Sequence, residues 1–144
     1  MKGRLGFLAV MLLCVQGASA NEWIVSEATG NKGSSGFSIG FAGDGSVMDA
    51  YIDLNYDSSS FTAQVSGMNG ASCTVHPDGG VVRVITPIAD KALSKSVMAL
   101  CQVTLIGNSS KSGAKAALTS AASECSRGAE MNSACDLSSA TAQK

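Results

Sequence analysis

Between Met48 and Tyr56 the chain alternates without a break. Met48, Ala50, Ile52, Leu54 and Tyr56 take every second position, and Asp49, Tyr51, Asp53 and Asn55 fill the gaps. Successive side chains of a strand point to opposite faces, so this spacing predicts a half-buried β-strand with one apolar and one polar face. A chain built around such a segment must bury the apolar face against another layer, while the polar face stays in water.

The rest of the sequence repeats the pattern in shorter pieces. Glu22–Glu27 (EWIVSE) reads as a first strand, and 28–35, rich in Gly, Ser and Asn, as a loop. In GFSIGFA, Phe37, Ile39 and Phe41 alternate with Gly36, Ser38 and Gly40, which predicts a second strand. Asp44-Gly45 and Asp57-Ser58-Ser59-Ser60 are turn signals on either side of the central strand. Phe61, Ala63 and Val65 then alternate with Thr62 and Gln64, and Asn69-Gly70 has the composition of a hairpin turn. A strand from Ala71 to His76 meets the turn Pro77-Asp78-Gly79-Gly80. Val81–Thr86 is rich in β-branched residues and predicts a buried strand. After a connection over 87–95, Val97, Ala99, Cys101, Val103 and Leu105 form the expected inward face of a further strand. Beyond Gly107 the chain is rich in Ser, Ala and Gly. Ala114–Ala122 has helical propensity, but another strand followed by a hairpin is the better reading.

The N-terminus has the three parts of a secretory signal peptide: Lys2 and Arg4, an apolar run from Leu5 to Val15, and Ala18-Ser19-Ala20 as a small-x-small cleavage pattern. The apolar run is about eleven residues, short of the roughly twenty that span a bilayer. A lipid-modified Cys14 is disfavoured by the bulky Met11-Leu12-Leu13 before it. Cleavage after Ala20 leaves a single domain over 21–144, with 8 basic and 11 acidic side chains. So mild a negative balance gives no reason to expect nucleic acid or an anionic membrane as partner.

Four cysteines remain, Cys73, Cys101, Cys125 and Cys135, an even number that in an exported chain reads as two disulfides. Three pairings exist; Cys73–Cys101 with Cys125–Cys135 is the expected one. Chain entropy assigns these loops roughly 3.5 and 2.8 kcal/mol. A zinc site lacks support: there is no Cys-x-x-Cys, and His76 is the single histidine. Many short strands, frequent turns and little helix point to an antiparallel β-sandwich.

The segment VMDAYIDLNYDSSSFTAQVSGMNG, with its Tyr56-Asp57 pair ending an amphipathic strand and a glycine (Gly67 or Gly70) after the next, resembles the cohesin domains and their relatives among carbohydrate-binding modules. GGVVRVITP and SVMALCQVTLIG resemble later strands of the same domains. The resemblance runs over about 36–106 and implies a jelly-roll sandwich of eight or nine strands with a binding role and no catalysis. The chain departs from the pattern in its short length, its Ser/Ala-rich end, and the lack of a dockerin-like calcium repeat or second module. The fold carries over more readily than a dockerin partner or a place in a cellulosome scaffold.

Candidate sites are few. His76 precedes Pro77 at a strand end, and no nucleophile-elbow motif supports a triad with any serine. Asp49 and Asp53 lie about 13 Å apart along one strand, too far for a glycosidase pair. Asp44, Asp53, Asn55 and Asp57 are oxygen ligands near strand ends but form no dense calcium loop. No cofactor is expected. For sugar binding, parity turns most aromatic rings inward, leaving Tyr51 on a polar face and Trp23 near a chain end. The polar face of Asp49, Tyr51, Asp53 and Asn55, centred on a tyrosine, is the expected interaction surface. The sequence thus predicts a secreted or periplasmic, non-catalytic, disulfide-stabilised sandwich that recognises an unidentified protein or glycan. The alternative is a structural envelope or appendage subunit, which an open edge strand would favour.

Overall fold

The computed structural model describes residues 21–87, 93, 96–108, 113–127, 130–133 and 142–143. The expected signal peptide over 1–20, with Cys14, and also Cys135 lie outside the described residues. Eight strands follow one another: β1 (Glu22–Ala28), β2 (Ser34–Ala42), β3 (Asp49–Asn55), β4 (Phe61–Gly67), β5 (Ser72–Val75), β6 (Val81–Ile85), β7 (Met98–Gly107) and β8 (Ala117–Arg127). The short β9 (Glu130–Ser133) and β10 (Ala142–Gln143) both pair with β8. One sheet has the order β1-β2-β7-β4 and the other β10-β8-β3-β6-β5; every pairing is antiparallel. Among the described residues there is no helix, and so none that could cross a membrane. The molecule is the two-sheet antiparallel sandwich that the alternation implied.

The core lies between the sheets and is made of alternate residues from each strand. β3 contributes Ala50, Ile52 and Leu54, with Met48 and Tyr56 partly covered at its ends. β2 contributes Phe37, Ile39 and Phe41, and β7 contributes Cys101, Val103 and Leu105. Trp23 of β1 is fully buried and meets Phe41 edge to face, with ring centroids 5.1 Å apart. It is therefore a core residue and not a ring offered at a chain end. Pairing of the whole of β1 with β2 holds it there.

Three local expectations change once the strands have neighbours. β6 is not buried on both faces: Val82, Val84 and the following Thr86 point inward, whereas Arg83 and Ile85 are exposed. Among the described residues its sheet is covered on one side only, and β-branched side chains suit either face of a pleated strand. In β7, Ile39 pairs with Cys101 but Gly40 pairs with Ala99, so Leu100 is an extra residue in a β-bulge. Leu100 is buried beside Cys101, and Val97, expected inward, is 61% exposed. The bulge reverses the parity of every residue before it.

The third change is at Asn69-Gly70. Both residues have positive φ (52° and 80°), and the Ala71 N–H donates to the Met68 carbonyl at 3.0 Å, as a hairpin turn requires. Yet β4 pairs with β7 and β5 with β6, so the turn is a corner that carries the chain from one sheet to the other. Gly67 makes room for it, since a Cβ there would lie 2.6 Å from the Ala71 carbonyl oxygen. The Cys73–Cys101 disulfide then ties the two sheets together at that corner.

The Ser/Ala-rich end forms β8, an eleven-residue strand, in place of a helix. Pairing along the full length of β3 outweighs the helical preference of its alanines. Leu118 and Cys125 anchor β8 in the core. Cys125 is disulfide-bonded, while its expected partner Cys135 lies outside the described residues.

Candidate functional site

The polar face of β3 is at the middle of its sheet, with β8 on one side and β6, then β5, on the other. Antiparallel register sets the outward side chains in rows. Ser72, Ile85, Tyr51 and Glu124 form one row, and Thr74, Arg83, Asp53 and Ala122 form the next. Asn55 stands between Val81 and Thr119, and Asp49 stands opposite Ser126. The four residues singled out by alternation, Asp49, Tyr51, Asp53 and Asn55, therefore do share one outer face. Asp49 and Asn55 are exposed; Tyr51 and Asp53 are half-buried.

What half-buries them is Arg83. Its Nε and Nη2 donate to the two carboxylate oxygens of Asp53, both at 2.7 Å, in a bidentate pair. Its guanidinium carbon also sits 5.0 Å from the centroid of the Tyr51 ring, a cation–π distance. The Asp53 hydrogen bonds, and then the Asp53 charge, hold the Arg83 pKa above its already high ordinary value, against a smaller opposing effect of burial. The guanidinium stays charged, with half its side-chain surface in water, while the Asp53 side chain keeps only 15%. Tyr51 thus packs against a cation that Asp53 holds in place. Beside this cluster, toward the tip of the β5–β6 hairpin, a depression of about 570 Å³ runs between Val75 and Val81, with Arg83 and Asp53 on one wall and His76 and Pro77 at its end.

Sequence reasoning missed Arg83 because it placed the whole of Val81–Thr86 in the core. The signal was present: an arginine within VVRVI has to reach water or a carboxylate, and residues two apart from it must then face outward as well. Ile85, 39% exposed beside Tyr51, follows by the same parity.

The remaining candidates have local duties. Asp57 accepts hydrogen bonds from the Ser59 N–H and the Ser59 and Ser60 hydroxyls, closing the turn into β4. Asp44 accepts from the Ser46 N–H and hydroxyl and is tied to Asn21. Asp44 and Asp57 stand in different turns, and Asp53 is engaged by Arg83, so the oxygen ligands considered for calcium do not converge. His76 is exposed at the hairpin tip, where its Nδ1 accepts the Asp78 N–H at 3.3 Å.

No protein-family model and no curated protein matches the chain. Solved structures do. The cohesin module of a family 33 glycoside hydrolase from Clostridium perfringens superposes with a TM-score of 0.61 at 14% identity, covering 87% of this chain and 95% of that one. The seventh ScaB type I cohesin from Pseudobacteroides cellulosolvens gives 0.58 at 10% identity, covering 78% and 83%. A chain of the CaDoc0917–CaCohA2 complex gives 0.57 at 19% identity, covering 71% and 82%. The chain has a cohesin-like fold.

Proposed function

We propose that this chain is an exported, non-catalytic protein-recognition module that docks its partner on the outer face of β8-β3-β6-β5, with Tyr51 at the centre. One observation carries the reading: Tyr51, Asp53 and Arg83, from two strands, are locked together in the middle of an otherwise open sheet. An aromatic anchor held rigid by a clamped arginine, with Ile85 beside it, has the composition and preorganisation of a protein-binding hot spot. The likeness to a chain solved in the CaDoc0917–CaCohA2 complex favours a protein partner. A glycan is the weaker choice. With Trp23 in the core, Tyr51 is the single aromatic ring that this face presents among the described residues, and Arg83 covers part of it. Export rests on the signal-like first twenty residues and on the Cys73–Cys101 disulfide, a bond that persists in oxidising compartments.

The test is a pull-down with residues 21–144 as bait, run beside a glycan array. The expected outcome is a protein partner whose affinity falls at least about tenfold in Tyr51→Ala. A partner that binds Tyr51→Ala and Arg83→Glu as well as the parent chain would move the functional surface elsewhere. Binding to the glycan array alone would replace the protein partner with a sugar.

A further inference from the structure

The four-stranded sheet ends on β4. The Asn108 N–H donates to the Ser60 carbonyl and the Met68 N–H to the Leu100 carbonyl, each at 2.8 Å, at the two ends of the β4–β7 ladder. Antiparallel backbone groups point alternately toward and away from their neighbour. Thr62, Gln64 and Ser66 therefore direct their N–H and C=O groups to β7. Those of Ala63 and Val65 point out of the sheet, as does the Phe61 carbonyl; the Phe61 N–H donates to the Asp57 carbonyl at 2.9 Å. No described strand pairs with β4 on that side. Ala63 and Val65 face the core yet are half-buried, so the sandwich is open along this edge.

Other edges are blunted. β5 is four residues long and is soon followed by Pro77, and β1 lies beside β10. Among the described residues β4 has none of the usual protection: it runs for seven residues in even register, with no charge and no proline.

We propose that β4 is a homotypic docking edge, which pairs antiparallel with β4 of a second copy about a two-fold axis through Gln64. The strand is its own complement. In this register Ala63 of each copy meets Val65 of the other, so the outward N–H and C=O groups of both residues are satisfied reciprocally. The free Phe61 carbonyl lies opposite Gly67. Thr62 faces Ser66 and Gln64 faces its own copy, all of them neutral, so no like charges oppose one another. Continuity supports a second copy over a foreign strand: Ser38, Gln102 and Ser66 form one neutral row, and Gly36, Thr104 and Gln64 another, both running on to the edge. The joined eight-stranded sheet is isologous and closed, and it leaves both β8-β3-β6-β5 faces free. The product is a bivalent module, able to gain avidity from two weak docking events.

Gln64 is exposed and its side chain makes no hydrogen bond, so charged replacements leave the monomer intact, which circular dichroism checks. Sedimentation equilibrium of residues 21–144 should show a monomer–dimer equilibrium. Gln64→Lys and Gln64→Glu should each weaken it at least about fivefold by opposing like charges across the axis. An equimolar mixture of the two should restore a heterodimer. A parent chain that stays monomeric at the highest attainable concentration would overturn the proposal, as would a Gln64→Lys chain that associates as tightly as the parent. A mixture that fails to associate would overturn the register. None of these outcomes depends on the Tyr51 face.

Discussion

Both sheets have an apolar inner face, and their outer faces differ in chemistry. Inside, both present Val, Ile and Leu, while Trp23, Phe37, Phe41 and Phe61 all come from β1-β2-β7-β4. Outside, β8-β3-β6-β5 carries Glu124, Asp49, Tyr51, Asp53, Arg83 and Ile85, whereas β1-β2-β7-β4 shows rows such as Ser26, Ser38, Gln102 and Ser66. The stabilising contacts of a sandwich lie between its sheets, so the outer residues are released from the core and vary without cost to the fold. One face has used that freedom for a braced aromatic and a set of charges. The other is largely neutral, with its strand charges confined to Glu22 and Glu27 of β1, and it ends on β4, a strand without charge or proline.

The comparison breaks first if inner and outer residues of one strand behave alike. Leu54→Ala removes a fully buried side chain and should lower stability by about 2–5 kcal/mol in denaturant unfolding. Tyr51→Ala, three residues earlier on the other face, should lose clearly less. Equal losses would mean that the outer face is structural and would end its candidacy as a docking surface.

The seam between the sheets comes next. Cys73 and Cys101 close a loop with a sequence separation of 28, and replacing both with serine should cost roughly 3.5 kcal/mol by chain entropy. If the double variant melts with the parent, the corner at Met68–Ala71 is held by packing alone.

The proposed docking face is tested more sharply through Arg83. Arg83→Met keeps much of the side-chain volume but removes the clamp on Asp53 and the cation over Tyr51. Stability should fall by no more than about 1 kcal/mol, because Arg83 is half exposed and screened. Partner affinity should fall further than stability does, as measured by calorimetry on the partner from the pull-down. A loss of stability with no loss of affinity would make the cluster a surface staple.

The smallest expected effect is on the largely neutral sheet. Gln102→Lys, at an exposed position of β7, should change stability by less than about 0.5 kcal/mol and leave partner binding untouched. A marked effect on binding would show that this face also takes part in recognition.

Much of this was legible along the chain, and the way it was legible explains where reading stopped. Side-chain direction in a strand is a local property with a period of two, so Ala50, Ile52 and Leu54 were assigned inward, and Asp49, Tyr51, Asp53 and Asn55 outward, from spacing alone. Phe37, Ile39 and Phe41 followed the same way. The even set of four cysteines indicates disulfides but leaves three pairings open, among them the Cys73–Cys101 bond that forms. Which strands become neighbours is not local. It depends on the combination of long-range pairings that buries the most apolar surface with every backbone group satisfied. Only the tertiary structure could decide that Arg83 stands across from Asp53, that Leu100 bulges and turns Val97 outward, and that Asn69-Gly70 is a corner between sheets. The proposed interaction face has the same two origins. Alternation placed its carboxylates and its tyrosine, while the arginine that locks them arrives from a strand thirty residues further along the chain.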